Sequence, residues 1–491
     1  MDVKEPETQS QKVESLEVEG DINLDTNPDL DYLWNDPKSF KEETFYNNFT
    51  APRKFTDVFW SILFLIILVV SLVLFFLSNP LKAENYTNPQ NLGLNDVVYI
   101  GAVCIIISLI IVVFSLVFVW TCPRFFIKLA MYLVIIFLVT SSITISIVTL
   151  FLGVFVAAFF VFVLSIFIYF YCKRANFSAA LLHTSVVVLR KYPSVFFFNL
   201  GMFLLQSGVT YLFSAGALLT YGLSLSYWVY VYLIVSYFII SQTLSYFTYS
   251  TCAGVAASWY FLCETEYEVK HPMLFSLRNS LGPNFGPVAL AGFLEGIAEG
   301  FRWLDKYGQS LTCGLTTCCI CICRAICCCI FNCIRMLIYA VNRYSLIYCA
   351  MFGVSAREGV KRWSKISSKT LVKQVVNTSI IGGTFKIYGI GASMASVIIA
   401  LVISGNKYPS SSEEFKFLMA MAPVFAFSGL LLVSKPIEVI SETIFVGFAE
   451  APQRLTTGAH VVYDLFDEDS RKLMEKEISE MDKSEKGFCC C

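Results

Sequence analysis

The residues of this sequence with chemical potential are aromatic rings and isolated carboxylates set in apolar surroundings. Between 226 and 262 lie Tyr227, Trp228, Tyr230, Tyr232, Tyr237, Tyr246, Tyr249, Trp259 and Tyr260, with no Asp, Glu, Lys or Arg among them. Each such ring face attracts a positive charge by about 0.5–2 kcal/mol, depending on desolvation. Trp228 and Tyr232 are four residues apart and share a helix face. Gln242, with Ser241 and Thr243, lies mid-stretch and can hydrogen-bond either a ligand hydroxyl or a neighbouring helix. Glu438 and Glu442 repeat the four-residue spacing, as do Glu295 and Glu299. A carboxylate inside an apolar helix is costly and by default points to function. Joining Trp228, Tyr232 and Trp259 to Glu438 or Glu442 would hold a desolvated organic cation, because a carboxylate adds attraction that survives in low dielectric. Two plainer readings stand beside this one. Trp and Tyr also form interfacial belts, and Glu438 and Glu442 could be a solvated helix end neutralised in part by Lys435.

Other chemistries find no support. His183, His271 and His460 are isolated, and Gly389–Met394 (GIGASM) fails a dinucleotide fingerprint at its last glycine. Without a nucleophile–base set the chain reads as a non-enzyme with no catalytic residue and no cofactor. The cysteine tract CCICICRAICCCIFNC alternates with Ile and contains neither His nor a carboxylate, so it suits packing or S-acylation rather than a metal. Cys489, Cys490 and Cys491 are lipidation candidates. No basic, aromatic-laced surface suggests nucleic acid.

The elements that must position these groups are membrane helices. The chain is 56% hydrophobic and only 15% charged, too few charges to give 491 residues a polar shell. Residues 97–120, 129–171 and 194–263 carry no charge at all, and about 20 apolar residues span a bilayer as a helix. The fold class is all-α, a polytopic membrane helical bundle. Crossings are expected near 58–78, 97–120, 129–149, 152–171, 194–221, 226–262, 284–303, 387–404 and 416–434. A tenth falls within 310–352; otherwise 275–305 dips in and returns at the break Gly282–Pro287 (GPNFGP). Lys and Arg clusters at 53–54, 124–128, 173–174 and 190–191 fall on one side if the N-terminus is cytoplasmic. The loop 79–96 is then outside, and its sequon makes Asn85 a glycosylation candidate. Three regions result: an acidic cytoplasmic tail over 1–52, a transmembrane domain over 53–450, and a charged cytoplasmic tail over 451–491. The first 50 residues hold 13 Asp and Glu against 4 Lys, which predicts a solvated tail burying no apolar face.

Five separated blocks, in order, resemble the choline transporter-like family of eukaryotic membrane proteins. They are RKFTDVFW (Arg53–Trp60), KRANFSAALLHTSVVVLRKYP (Lys173–Pro193), AGVAASWYF (Ala253–Phe261), NRYSLIYCAMFGVSA (Asn342–Ala356) and KPIEVISETIF (Lys435–Phe445). The chain departs from the family pattern in CETEYE (Cys263–Glu268), where the family is often basic, and in its shorter stretch after Gly353. The resemblance implies a carrier for choline or a related amine such as ethanolamine in the plasma membrane, an endomembrane being the alternative. It singles out Glu438 and Glu442, and aligns Lys386 with a family lysine. The partners expected are a small organic cation and the lipid bilayer. A carrier of another solute and a membrane scaffold are the competing functions.

Overall fold

The computed structural model describes residues 42–77, 94–122, 181–220, 227–312, 341–365, 368–404 and 412–451, with isolated positions in 125–178 and at 338–339. Every regular element among them is a helix: α1 (Glu42–Thr50), α2 (Val58–Leu77), α3 (Leu94–Thr121), α4 (Ser194–Thr220), α5 (Tyr227–Leu262), α6 (Pro272–Leu281), α7 (Phe285–Thr312), α8 (Ala356–Lys365), α9 (Ser368–Ser404) and α10 (Glu413–Glu450). Residues 181–191 and 341–352 are helical as well. Helices are the form expected, because a helix satisfies its own backbone polar groups where no water can.

Five of these helices contain stretches long and apolar enough to cross a membrane: Tyr99–Thr121, Ser194–Phe213, Val231–Leu262, Ile381–Ile403 and Glu414–Gly447. The shorter apolar helix α2 and the charge-bearing α7 occupy the crossings expected at 58–78 and 284–303. Apart from isolated positions, the crossings at 129–149 and 152–171 lie outside the described residues, as do the cysteine tract, Asn85 and Cys489–Cys491.

The outward faces confirm a lipid-facing bundle. Ile106, Ile110, Phe114 and Val117 form an exposed stripe on α3, and Ile390, Met394, Ile398 and Val402 recur every four residues on α9. The opposite face of α3 buries Ile100, Cys104 and Ile107 against Leu418, Ala422 and Phe425 of α10 and Ala400 of α9. A second layer joins Val112 of α3, Phe203 of α4, Ala392 of α9 and Ala426 of α10. On the other side, α5 packs along α7 and α2, burying Ile239 and Ile240 against Phe64 and Ala289. Helices α5 and α10 touch each other and so join the two groups.

Residues 42–50 bury an apolar face, contrary to the solvated tail that composition predicts over the first 50 residues. Residues 42–50 form α1, and Phe45 and Phe49 are fully buried, Phe45 lying 4.5 Å from the Phe261 ring at the end of α5. Two phenylalanines four apart give one side of a short polar helix enough apolar area to dock. The GPNFGP break also finds its partners inside the protein. Thr56 N–H donates to the Pro283 carbonyl at 3.1 Å, and Asn284 Nδ2 donates to the Cys349 carbonyl at 3.1 Å. A Cβ on Gly286 would lie 2.2 Å from the Thr56 carbonyl oxygen, so only glycine allows this approach.

Candidate functional site

Glu438 and Glu442 stand one turn apart on α10, and the same face is met by α5 and by the helical segment 341–352. Arg343 enters from that segment. Its Nη2 lies 3.0 Å from Glu442 Oε1 and 3.2 Å from Glu438 Oε2. Tyr249 of α5 donates its hydroxyl to Glu442 Oε2. The Arg343 guanidinium carbon sits 5.2 Å from the Tyr249 ring centroid and 4.9 Å from that of Tyr339, and Nη1 donates to the Tyr339 hydroxyl. The side chains of Arg343, Glu438 and Glu442 are 10%, 11% and 2% exposed, which rules out the solvated-end reading.

Each neighbour helps to hold the centre. Gly382 of α9 faces Glu438, and a Cβ there would come to 3.4 Å of Oε1, so α9 closes this side of the carboxylate at van der Waals distance. Ser441, beside Glu442, shares a 2.7 Å hydrogen bond with Ser185 and fixes that turn of α10 against residues 181–191. Glu295 on α7 is buried, as are Tyr246 and Asn342. Two carboxylates share one guanidinium, so the trio carries a formal charge of −1 in a site shielded from water. Such a centre attracts cations far more strongly than a surface pair does.

The sequence-chosen aromatics lie elsewhere on α5. Tyr232 donates its hydroxyl to the Ile67 carbonyl of α2 at 3.2 Å. At 1.5 Å rise per residue it stands about 25 Å along the helix from Tyr249. Trp259 is buried about 15 Å beyond Tyr249 in the other direction. Trp228 occupies the first turn of α5, and its side chain is outside the described residues. Gln242 is half-buried, and its neighbour Ser241 accepts from Gln206 of α4 at 2.8 Å. One straight helix cannot bring both of its ends to one carboxylate pair, so the structure does not gather these residues into a single cage. Tyr249, Tyr339 and Arg343 take the places around the carboxylates. An arginine heading the apolar run 344–352 was the available signal, since an intramembrane carboxylate calls for a buried counter-charge. Lys435 is only half-buried, and among the described residues the ion pairs to Glu438 and Glu442 come from Arg343.

One glutamate of the acidic departure CETEYE has a basic partner. Glu268 pairs with Lys191 at 2.6 Å, and Lys191 Nζ also reaches Cys263 Sγ at 3.1 Å. Burial acts against the Lys191 charge, but the bonds to Glu268 and Cys263 outweigh it and hold its pKa above the usual lysine value.

Comparison with known proteins agrees with this architecture. A CTL-like protein of Dictyostelium discoideum is 24% identical over 340 residues, covering 65% of this chain and 56% of that protein. The protein PNS1 of Debaryomyces hansenii is 23% identical over 395 residues, covering 75% and 76%. The PNS1 of Yarrowia lipolytica is 23% identical over 223 residues, covering 44% and 38%. The matched part of the chain thus spans about half the length of the Dictyostelium relative and less of the Yarrowia one. A family model described as plasma-membrane choline transporter matches residues 154–453, an interval that holds α4 to α10 and the whole Arg343 centre. By that match, over more than half its length, the chain belongs to the choline transporter-like family.

Proposed function

We propose that this protein carries choline or a related amine such as ethanolamine across the plasma membrane, by facilitated diffusion or cation exchange. The observation that carries the reading is the buried Glu438–Glu442–Arg343 centre flanked by tyrosine faces. A quaternary ammonium has no proton to donate, so its recognition depends on ring faces and negative charge, and this centre offers both. The family's description as a choline transporter points the same way.

Purified protein in liposomes should take up labelled choline saturably, with excess unlabelled choline abolishing the uptake. Tyr249→Leu keeps apolar bulk but removes a ring face and the hydroxyl bonded to Glu442. It should weaken choline about 5–30-fold if that face contributes about 1–2 kcal/mol. Absence of uptake by folded protein would shift the reading to a membrane scaffold. Glycosylation at Asn85 and acylation at Cys489, Cys490 and Cys491 belong to the same plasma-membrane reading; a glycosidase mobility shift and thioester cleavage test them.

A further inference from the structure

We infer that Arg343 is a tethered occupant of the cation site, and that a substrate cation binds by displacing its guanidinium from Glu438 and Glu442. The inference rests on the proposed reading that this centre binds a cation, and it names what stands in that position when no substrate does. The guanidinium already has the surroundings an organic cation needs: two carboxylates at 3.0 and 3.2 Å and two tyrosine faces at 5.2 and 4.9 Å.

The way Arg343 is held also differs from that of a purely structural arginine. The strong arrangement of arginine with a carboxylate is bidentate, with two parallel N–H bonds to one group. Here a single nitrogen, Nη2, serves both glutamates, Nη1 goes to the Tyr339 hydroxyl, and the buried Nε has no hydrogen-bond partner among the described residues. Arg343 is thus carried by a segment separate from the helices that bear Tyr249 and the glutamates, and it uses only part of its donor set. Gly382 of α9 faces Glu438 without a side chain, and a Cβ there would already touch the carboxylate at 3.4 Å, so α9 approaches this edge of the site closely.

Displacement has a consequence for coupling. Withdrawing one member of a buried ion pair is strongly unfavourable when nothing replaces it. The guanidinium therefore leaves only as another cation arrives, and the site is never empty of positive charge. The ligands expected are quaternary ammoniums and small guanidinium compounds, with a measured affinity lowered by the competition from Arg343.

The test measures binding to full-length protein in lipid nanodiscs by calorimetry and thermal midpoint, with choline, tetramethylammonium and methylguanidinium as probes. Arg343→Ala should bind choline at least about tenfold more tightly than wild type and should be stabilised by methylguanidinium, which refills the vacated position. Arg343→Lys keeps a tethered cation and should stay close to wild type in choline affinity. If Arg343→Ala does not fold, Arg343→Ala/Glu442→Gln restores the formal charge to −1 and should show the same gain for methylguanidinium over wild type. Choline affinity that is unchanged or weaker in folded Arg343→Ala or in the double variant, with no effect of methylguanidinium, overturns the inference. Choline uptake by wild type is scored separately. Uptake without the Arg343→Ala gain sinks the tethered cation and leaves the carrier reading standing. Methylguanidinium rescue in a protein that carries no choline does the reverse.

Discussion

Glu450 lies just past the apolar stretch of α10 that ends at Gly447, and it receives the Tyr348 hydroxyl on Oε1. Burial pushes its carboxyl up to about 7 from the ordinary 4.5, against the Tyr348 hydrogen bond and the positive charge of Arg362. Arg362 is itself tied to Glu358 at 3.0 Å, so its charge is partly spent elsewhere. The folded protein holds this proton more tightly than the unfolded chain does. Stability is therefore greatest below 4.5 for this group and falls as pH rises to about 7, above which the full cost stands. The expected loss is on the order of 3 kcal/mol. Thermal midpoints of Glu450→Gln between about pH 5 and about pH 8 should be flatter than those of wild type; an identical slope would assign the pH dependence to other groups. At this scale the sequence exposed the costly carboxylates but not their partners. Glu438 and Glu442 declare themselves by sitting in apolar helix, whereas their counter-ion is 95 residues away from Glu438 and arrives through tertiary contact alone.

Gly292, Gly296 and Gly300 repeat every four residues on α7, and together they form the strip along which α5 lies. A Cβ on Gly292 would come to 2.6 Å from Thr243 Cα, one on Gly296 to 2.5 Å from Ile239 Cα, and one on Gly300 to 3.4 Å from a Val235 methyl. The partners on α5 are also four residues apart and run in the opposite order, so the two helices are antiparallel at backbone contact. Small residues at this spacing are how membrane helices gain packing where lipid removes the hydrophobic incentive. Gly296→Val should push the helices apart and lower the thermal midpoint of detergent-solubilised protein by the equivalent of about 2–4 kcal/mol, near the upper range for overpacking. Gly391→Ala serves as the control, because a Cβ there meets nothing within 4 Å. It should be neutral or gain about 0.5–1 kcal/mol from helix propensity. A Gly296→Val protein as stable as wild type would remove this contact as a determinant. Elements were the most legible level: charge-free runs announce α3, α4 and α5 directly. The aromatic cage was not legible, because a run of rings along 36 residues says which side chains are available but not which turn of the helix meets a carboxylate.

For the whole molecule, the N-terminal strap ties together three segments that are far apart in sequence. Arg53 donates through Nε to the Asn48 carbonyl, and through its two terminal nitrogens to the carbonyls of Cys349, Ala350 and Met351. Those carbonyls end the helical segment 341–352, where a helix runs out of its own N–H donors; that of Cys349 also accepts from the Gly353 N–H at 2.9 Å and from Asn284. Gly353 follows at φ +68°, the left-handed conformation that closes a helix, and a Cβ there would lie 2.8 Å from Arg53 Cδ. Asp57 completes the strap by accepting from the Ala356 N–H at 2.9 Å, at the start of α8. Burial lowers the Arg53 pKa to about 10, which still leaves it charged at neutral pH. The strap therefore fixes the segment that presents Arg343 to the glutamates, and α1 is its anchor: Phe45 and Phe49 are buried, and the Phe49 carbonyl accepts from Asn279 of α6 at 3.1 Å. Two truncations separate the acidic region from this anchor. Deleting residues 1–41 removes charge-rich sequence only and should leave thermal stability and choline uptake near wild type. Extending the deletion to residue 50 removes both phenylalanines and the Asn48 carbonyl that holds Arg53. Since Phe49→Ala alone should cost about 3–5 kcal/mol as a buried aromatic, the longer truncation should lower the midpoint at least as far. Uptake at equal surface expression should fall with it, because Arg343 loses the far end of its support. Equal stability and uptake in the two truncations would show that α1 rides on the bundle without bracing it.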